Sequence, residues 1–317
     1  MITSEKGYYV DKEGVVTELQ EGTRLVTPAE QERNKRFIEL QDKKALRKIE
    51  YQEYGSFIWG KYQLSKPYAE KLSGATITRL MFLATYMDYD GALVLDAYGG
   101  KGNSKTYLSR KNIQKLLKLS DKTFIRFWNE LIDNNLISES ESENDERYYL
   151  SQNMFARGRV NKKALSNMAE NDYYITRLYN SAIREIYSKS RVATHTTLSY
   201  IFKMIPFVNR KYNVLCFNPL EEDFSKIKYM TVGDFCDQVG YDRSQAARLF
   251  HELYKPTFVT EKGEQAAVRY VSGKNLRKES FYIFVSPRVY YAKNEYDRCQ
   301  INEILELEED NQCQEKN

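Results

Sequence analysis

The stretch Met230–Val259, MTVGDFCDQVGYDRSQAARLFHELYKPTFV, lies without gaps on Leu108–Ile137, LSRKNIQKLLKLSDKTFIRFWNELIDNNLI. Thr231 falls on Ser109, where a hydroxyl that caps a helix belongs. Phe235 and Val239 fall on Ile113 and Leu117, and Tyr241 on Leu119. Arg248, Glu252 and Leu253 fall on Arg126, Glu130 and Leu131, and Phe258-Val259 on Leu136-Ile137. Identities are few. What coincides is role: cap, core position and turn recur in step, so the chain is expected to build one supersecondary unit twice.

Around the first copy the periodicity predicts a buried helix from Ile77 (Leu80, Met81, Phe82, Leu83, Tyr86, Met87) and a short strand at Leu93–Leu95. A helix capped by Ser109 follows, then a turn at Lys118-Leu119-Ser120 and a second helix from about Asp121 that buries Phe124, Phe127, Trp128 and Leu131. A strand at Leu136-Ile137, a polar tip and a return strand at Arg147–Leu150 complete the unit. That order is the order of a winged helix, and Leu119 is the apolar residue such a turn inserts between two steeply crossed helices. In the second half Ala193–Ile205 reads as the first helix and Ser280–Val285 as the return strand after a longer tip.

Asn161–Ser190 reads as a joining helix, with Ile175, Leu178, Ala182, Ile183 and Ile186 on one stripe. At the N-terminus, residues 7–26 read as a β-hairpin with Gly14 in its turn, and Thr27-Pro28-Ala29-Glu30 starts a charged helix that runs to Tyr54. The expected fold class is α+β, mainly helical: two tandem winged helix-turn-helix domains with an N-terminal β-hairpin and arm helix. The expected divisions are 1–54 for hairpin and arm, 55–160 for the first winged helix, 161–190 for the linker helix, 191–294 for the second winged helix and 295–317 for an acidic tail.

The 317 residues suffice for about two domains. With 42% hydrophobic and 29% charged residues the chain builds cores. The net charge of +4 is compatible with nucleic acid without deciding for it. Cys216, Cys236, Cys299 and Cys313 form no CxxC pair, and His195 and His251 lie far from any of them, which excludes a zinc finger. Wide cysteine spacing without a signal peptide fits a reducing cytoplasm, and no apolar run approaches the roughly 20 residues of a membrane span. There is no His-x-His pair for a metal-dependent nickase and no His-x-x-Arg of a tyrosine recombinase. No metal and no cofactor are expected, and the protein is expected not to be an enzyme.

One stretch argues for an NTPase. GGKGNSKT from Gly99 approximates the phosphate loop G-x-x-x-x-G-K-[ST], but Ser104 stands where the second glycine should be. No alternation of apolar strands and helices supplies the parallel sheet around it. The competing reading is a hairpin loop that turns Leu93–Asp96 into Thr106–Leu108.

In a helix-turn-helix the second helix enters the major groove by its N-terminal half. The outward residues of the first copy are Asp121, Lys122, Thr123, Ile125, Arg126 and Asn129; those of the second are Arg243, Ser244, Gln245, Ala247, Arg248 and His251. Arg126 suits guanine or phosphate and Ile125 a thymine methyl; the bland alternative is a solvated helix face. Lys105, Arg110, Lys111 and Lys115 are candidate phosphate contacts ahead of the first recognition helix, and Lys274, Arg277 and Lys278 on the second tip. The first tip, SESESENDER at Ser138–Arg147, is acidic and repelled by phosphate; it faces solvent or a protein partner.

The segments KLSGATITRLMFLATYMDYDG, YLSRKNIQKLLKLSDKTFIRFWNELIDNNLI and RYYLSQNMFARG resemble the winged-helix proteins of Firmicute plasmids and phages, among them RepL-type plasmid replication proteins. The wing strand of those proteins ends in a similar Tyr-x-x-Asn-x-x-Phe-x-x-Gly; here Tyr149, Asn153, Phe155 and Gly158 stand at close but not identical spacing. GYYVDKEGVV also resembles the N-termini of related helix-turn-helix proteins. The resemblance covers roughly residues 7–160. It implies a cytoplasmic, sequence-specific binder of double-stranded DNA from a mobile element, acting in replication initiation or in transcriptional regulation. Two winged helices in one chain resemble plasmid initiators in architecture. A homodimer is a further expectation.

Overall fold

The computed structural model describes residues 8–10, 16–18, 28–63, 71–95, 105–140, 146–158, 173–261, 263–272 and 281–292. They form an α+β fold of helices and small antiparallel sheets. The chain divides into two compact units, Met1–Ile49 and Glu50–Asn317. In the first, β1 (Tyr8–Val10) pairs with β2 (Val16–Glu18) as the expected hairpin, and the greater part of α1 (Pro28–Tyr54) follows. Gly14 and the cap at Thr27 lie outside the described residues. The side chains of Phe37, Ile38 and Leu40 on α1 are exposed.

The second unit begins with β3 (Phe57–Gln63) and α2 (Gly74–Ala84), which Ser73 caps by accepting from the Thr76 N–H. Next come α3 (Arg110–Leu117), α4 (Asp121–Asp133), and the hairpin of β4 (Ile137–Glu139) with β5 (Tyr148–Leu150). The described ends of the glycine-rich stretch pair as a hairpin: Val94 opposes Tyr107, and the Leu95 N–H donates to Thr106 O at 2.9 Å. The glycines themselves lie outside the described residues. β6 (Phe155–Ala156) then leads out of this half.

The second half holds α5 (Asn180–Lys189), α6 (His195–Lys203), α7 (Val232–Val239) and α8 (Ala246–Tyr254), the last preceded by a single 3-10 turn at Arg243–Gln245. Its strands are β8 (Thr257–Thr260), β9 (Gly263–Ala266), β10 (Val268–Ser272), β11 (Phe281–Val285) and β12 (Tyr290–Tyr291). The halves agree in detail. The Leu93 N–H donates to Tyr148 O and the Leu215 N–H to Ile283 O, both at 2.8 Å. Ala92 opposes Tyr149 as Val214 opposes Phe284, and Val94 opposes Tyr107 as Cys216 opposes Tyr229.

Two expectations are corrected. The stretch read as a helix over Asn161–Ser190 contains a strand, β7 (Tyr173–Tyr179), and becomes helical only at Asn180; residues 161–172 lie outside the described part. β7 pairs with β3 from Phe57↔Tyr179 to Gln63↔Tyr173 and completes an antiparallel sheet in the order β12-β7-β3-β6. Ile175 and Leu178, three residues apart, project to opposite faces of a strand, and both are buried because the sheet is covered on both sides there. Such a strand leaves no period-two signal. The second return strand is also placed differently. β8 turns onto β9, and Phe281–Val285, within the stretch read as the return strand, forms β11, which pairs with β10 and flanks Val214. β9 and β10 thus stand between β8 and β11, two strands with no equivalent among the described residues of the first half.

One continuous apolar core runs through both halves, from Ile58, Leu80 and Phe127 to Phe235, Leu253 and Ile283. Fully burying side chains of this size contributes about 1.5–3 kcal/mol each. The halves meet where α2 approaches α6. A Cβ on Gly74 would stand 2.7 Å from Ser199 Oγ and 3.0 Å from Thr196 O, so only glycine permits that approach.

Candidate nucleic-acid interface

The Ser109 hydroxyl accepts from the Asn112 N–H, and α3 ends at Lys118 in the left-handed conformation (φ 52°, ψ 42°). The reversal drives Leu119, at 7% exposure, into the apolar core that also holds Ile113, Leu117 and Phe124. α4 buries Phe124, Phe127, Trp128 and Leu131 and turns the opposite face outward. On that face Asp121, Lys122, Arg126 and Asn129 are exposed, Ile125 is 49% exposed and Thr123 is half-buried beside Ser120 Oγ. Gln114 Nε2 donates to Asp121 Oδ1 at 2.6 Å, so Asp121 fastens the two helices together. Arg110, Lys111 and Lys115 are exposed on α3, and Lys118 joins them at the turn. Lys118 escaped the list of sequence candidates, although its place between two predicted helices was visible.

A further residue missed in the sequence sets the tilt of α4. Glu130 accepts from the Ser73 N–H, from Ser73 Oγ at 2.9 Å and from Thr76 Oγ1 at 2.6 Å. A carboxylate at a helix N-terminus is favourable, and here it ties α4 to the start of α2.

Lys105 is engaged. Its ammonium lies 2.5 Å from Asp88, a buried carboxylate that also meets Arg157 at 3.4 Å. The hydrogen bond and charge of Asp88 raise the lysine pKa. Lys105 thus closes the base of its hairpin. Every strand pair among the described residues is antiparallel.

The second motif has the same frame and different chemistry. Thr231 and Asp234 form a reciprocal capping box, α7 ends at Gly240 in the left-handed region (φ 66°), and Tyr241 follows. Ser244, Gln245, Ala247, Arg248 and His251 are exposed. Arg243 is not free for a ligand: it pairs with Asp237 and, at 3.6 Å, with Asp234. Asp242 accepts from the Ser244 N–H at 2.9 Å and from Ser244 Oγ at 2.8 Å, which holds its pKa below the ordinary value. In the repeat register, Arg110, Lys111, Lys115, Lys118 and Lys122 correspond to Val232, Gly233, Asp237, Gly240 and Ser244; only Arg126 keeps its charge, as Arg248. The candidates Lys274, Arg277 and Lys278 lie outside the described residues.

Among the described residues no group of three or more His, Cys, Asp or Glu could hold a metal ion, and no helix is long and apolar enough to cross a membrane. Cys216 and Cys236 are buried, and burial pushes the Cys216 thiol up to about 12, so it stays protonated. Comparison of the chain with protein-family models, with curated proteins and with solved structures found no match.

Proposed function

We propose that this chain is a non-enzymatic, sequence-specific binder of duplex DNA with two tandem winged helices, of which the first makes the principal contact. The observation that carries the reading is the charge difference between two frames of the same shape. The α3–α4 surface gathers Arg110, Lys111, Lys115, Lys118, Lys122 and Arg126, all exposed, around a helix whose outward residues can reach base edges. The matching α7–α8 surface neutralises Arg243 within itself. A phosphate backbone is attracted to the first and indifferent to the second. This narrows the expectation that both recognition helices read adjacent groove segments.

The resemblance of the first half to plasmid and phage winged-helix proteins favours a mobile element as the source and replication initiation as the role. Sequencing the genomic fragments that the full chain retains tests this. Repeated sites within one origin support initiation, sites overlapping promoters indicate a transcription regulator, and no sequence preference at moderate salt defeats both roles. The NTPase alternative needs Lys105 at a nucleotide, but it is paired with Asp88. Nucleotide binding in calorimetry that Lys105→Ala abolishes would restore that alternative.

A further inference from the structure

Outside both helix pairs, one loop of the second half turns large apolar side chains to solvent. It spans Phe217–Lys228 and closes where Cys216 opposes Tyr229 and the Phe217 N–H donates to Lys228 O at 2.8 Å. Two asparagines fix it from within. Asn209, fully buried, donates from Nδ2 to Glu221 O at 2.7 Å and accepts at Oδ1 from the Lys211 and Tyr212 N–H groups. Asn218 donates to Lys226 O at 3.0 Å and accepts from the Lys228 N–H at 2.8 Å, which ties the two limbs together. Asp223 caps a single 3-10 turn at Phe224–Lys226 by accepting from the Ser225 N–H. The backbone is held before any partner arrives, so association costs little ordering here.

On this frame Phe217 and Leu220 are each 50% exposed and Phe224 is 44% exposed. Phe224 stands edge-on to Tyr212, at 5.0 Å, and to Tyr229, at 6.0 Å, which fixes its ring. Single exposed apolar residues are ordinary; three on one short, fixed loop mark an association surface. The loop at the matching place in the first half, Asp96–Lys105, reads DAYGGKGNSK and has no aliphatic residue larger than alanine. The charges around the apolar residues are sorted by sign. At the tip Leu220 shares a surface cleft with Glu221 and Glu222, and Asp223 follows them. On the limb that returns to the base stand Lys226, 3.2 Å from Asp223, and Lys228, exposed and in no ion pair among the described residues. A polyanion such as nucleic acid or an anionic membrane is repelled by the three carboxylates of the tip. A surface with an acidic end and a basic end is instead complementary to its own copy turned end over end.

We propose that the Phe217–Lys228 loop is the surface through which two copies of this chain associate about a two-fold axis. Phe217, Leu220 and Phe224 of the two copies meet at its centre, and the acidic tip of each loop meets the basic limb of the other. The apolar centre supplies affinity; the charges fix the orientation and exclude a parallel arrangement, which would set like charges against each other. The association does not depend on the duplex-binding reading, and its test needs no DNA.

Sedimentation velocity of the full chain over a concentration series tests this, with thermal melting to confirm that each variant is folded. The unaltered chain should dimerise at micromolar concentration. Phe217→Ser together with Leu220→Ser should raise the dissociation constant about tenfold or more. Glu222→Lys and Lys228→Glu should each weaken the dimer about threefold or more, and the two together in one chain should restore it, since the swapped charges again face each other across the axis. Phe37→Ser with Leu40→Ser, which removes exposed apolar residues from α1, should leave the dimer intact. A chain that stays monomeric up to about 100 μM overturns the proposal. So does a dimer that survives the loop variants, or one that the α1 pair abolishes. Charge variants that weaken the dimer singly and fail to restore it together overturn the two-fold arrangement.

Discussion

Lys118 and Gly240 hold the same left-handed backbone conformation, at φ 52° and φ 66°, at matching points of two helix pairs. One is glycine and the other is not. A side chain in that region costs about 1–2 kcal/mol, and nothing lies within 4 Å of where a Cβ on Gly240 would stand. Gly240→Ala should therefore destabilise the protein by about 1 kcal/mol through backbone strain alone, and Lys118→Gly should be neutral or stabilising by up to about 1 kcal/mol. Denaturant midpoints at constant slope check both. Lys118→Gly should also weaken duplex binding, which separates its conformational cost from its charge.

Glu130 and Glu252 occupy matching positions, yet only Glu130 reaches a helix start. Glu252 pairs at 2.5 Å with Lys255, the residue that follows its helix. Glu130→Ala strands the Ser73 and Thr76 donors and should cost about 2–3 kcal/mol. Glu252→Ala loses one surface contact and should cost less than about 1 kcal/mol. Equal losses in urea unfolding would remove the assigned anchor.

His195 is buried and accepts at Nδ1 from Arg79 Nε at 3.3 Å, so the imidazole is neutral with its proton on Nε2. Burial, and then the Arg79 charge, lower its pKa from 6.5 to about 4. The folded state binds this proton later than the unfolded state does. Stability should therefore fall as pH drops below about 6.5 and stop falling through this group below about 4, by a total on the order of 3 kcal/mol. Unfolding free energies from pH 7.5 to 3.5 test this, and His195→Gln should flatten that part of the profile.

Charge on the first motif should be read directly by salt. Replacing Lys111, Lys115 and Lys122 with Ala should reduce the slope of log affinity against log salt by about 2–3 if each meets a phosphate. Arg126→Ala should cost about 1–3 kcal/mol and relax preference at one position of the site. Arg243→Ala should leave the slope unchanged, because Asp234 and Asp237 already hold its charge. A slope that responds to Arg243 and not to the lysines would move the interface to the second motif.

The two matched helix pairs were legible because their signals are local. Ser109 and Thr231 cap within three residues, Leu119 and Tyr241 follow a left-handed residue, and Phe124, Phe127, Trp128 and Leu131 repeat on one helical face. The sheet β12-β7-β3-β6 was not legible. Its strands come from four distant segments, and β7 is covered on both faces, so its apolar spacing imitates a helix. Ser280–Val285 was recognised as a strand, but its partner was missed, because a hairpin turn at Glu261 carries no mark of the two strands that follow it.

By itself the sequence determined which residues turn inward on the two matched helix pairs, where those helices are capped, and that their pattern occurs twice, since caps, turns and periodicity act over a few residues. Tertiary structure alone decided what those faces meet. Glu130 anchors to Ser73, Lys105 folds onto Asp88, Arg243 is neutralised and Glu146 sits at the first amide of α3. A charge in a sequence has a sign but no partner; only the three-dimensional fold brings an opposite charge within a few ångströms, and so separates the cations that remain free for a ligand from those already satisfied within the protein.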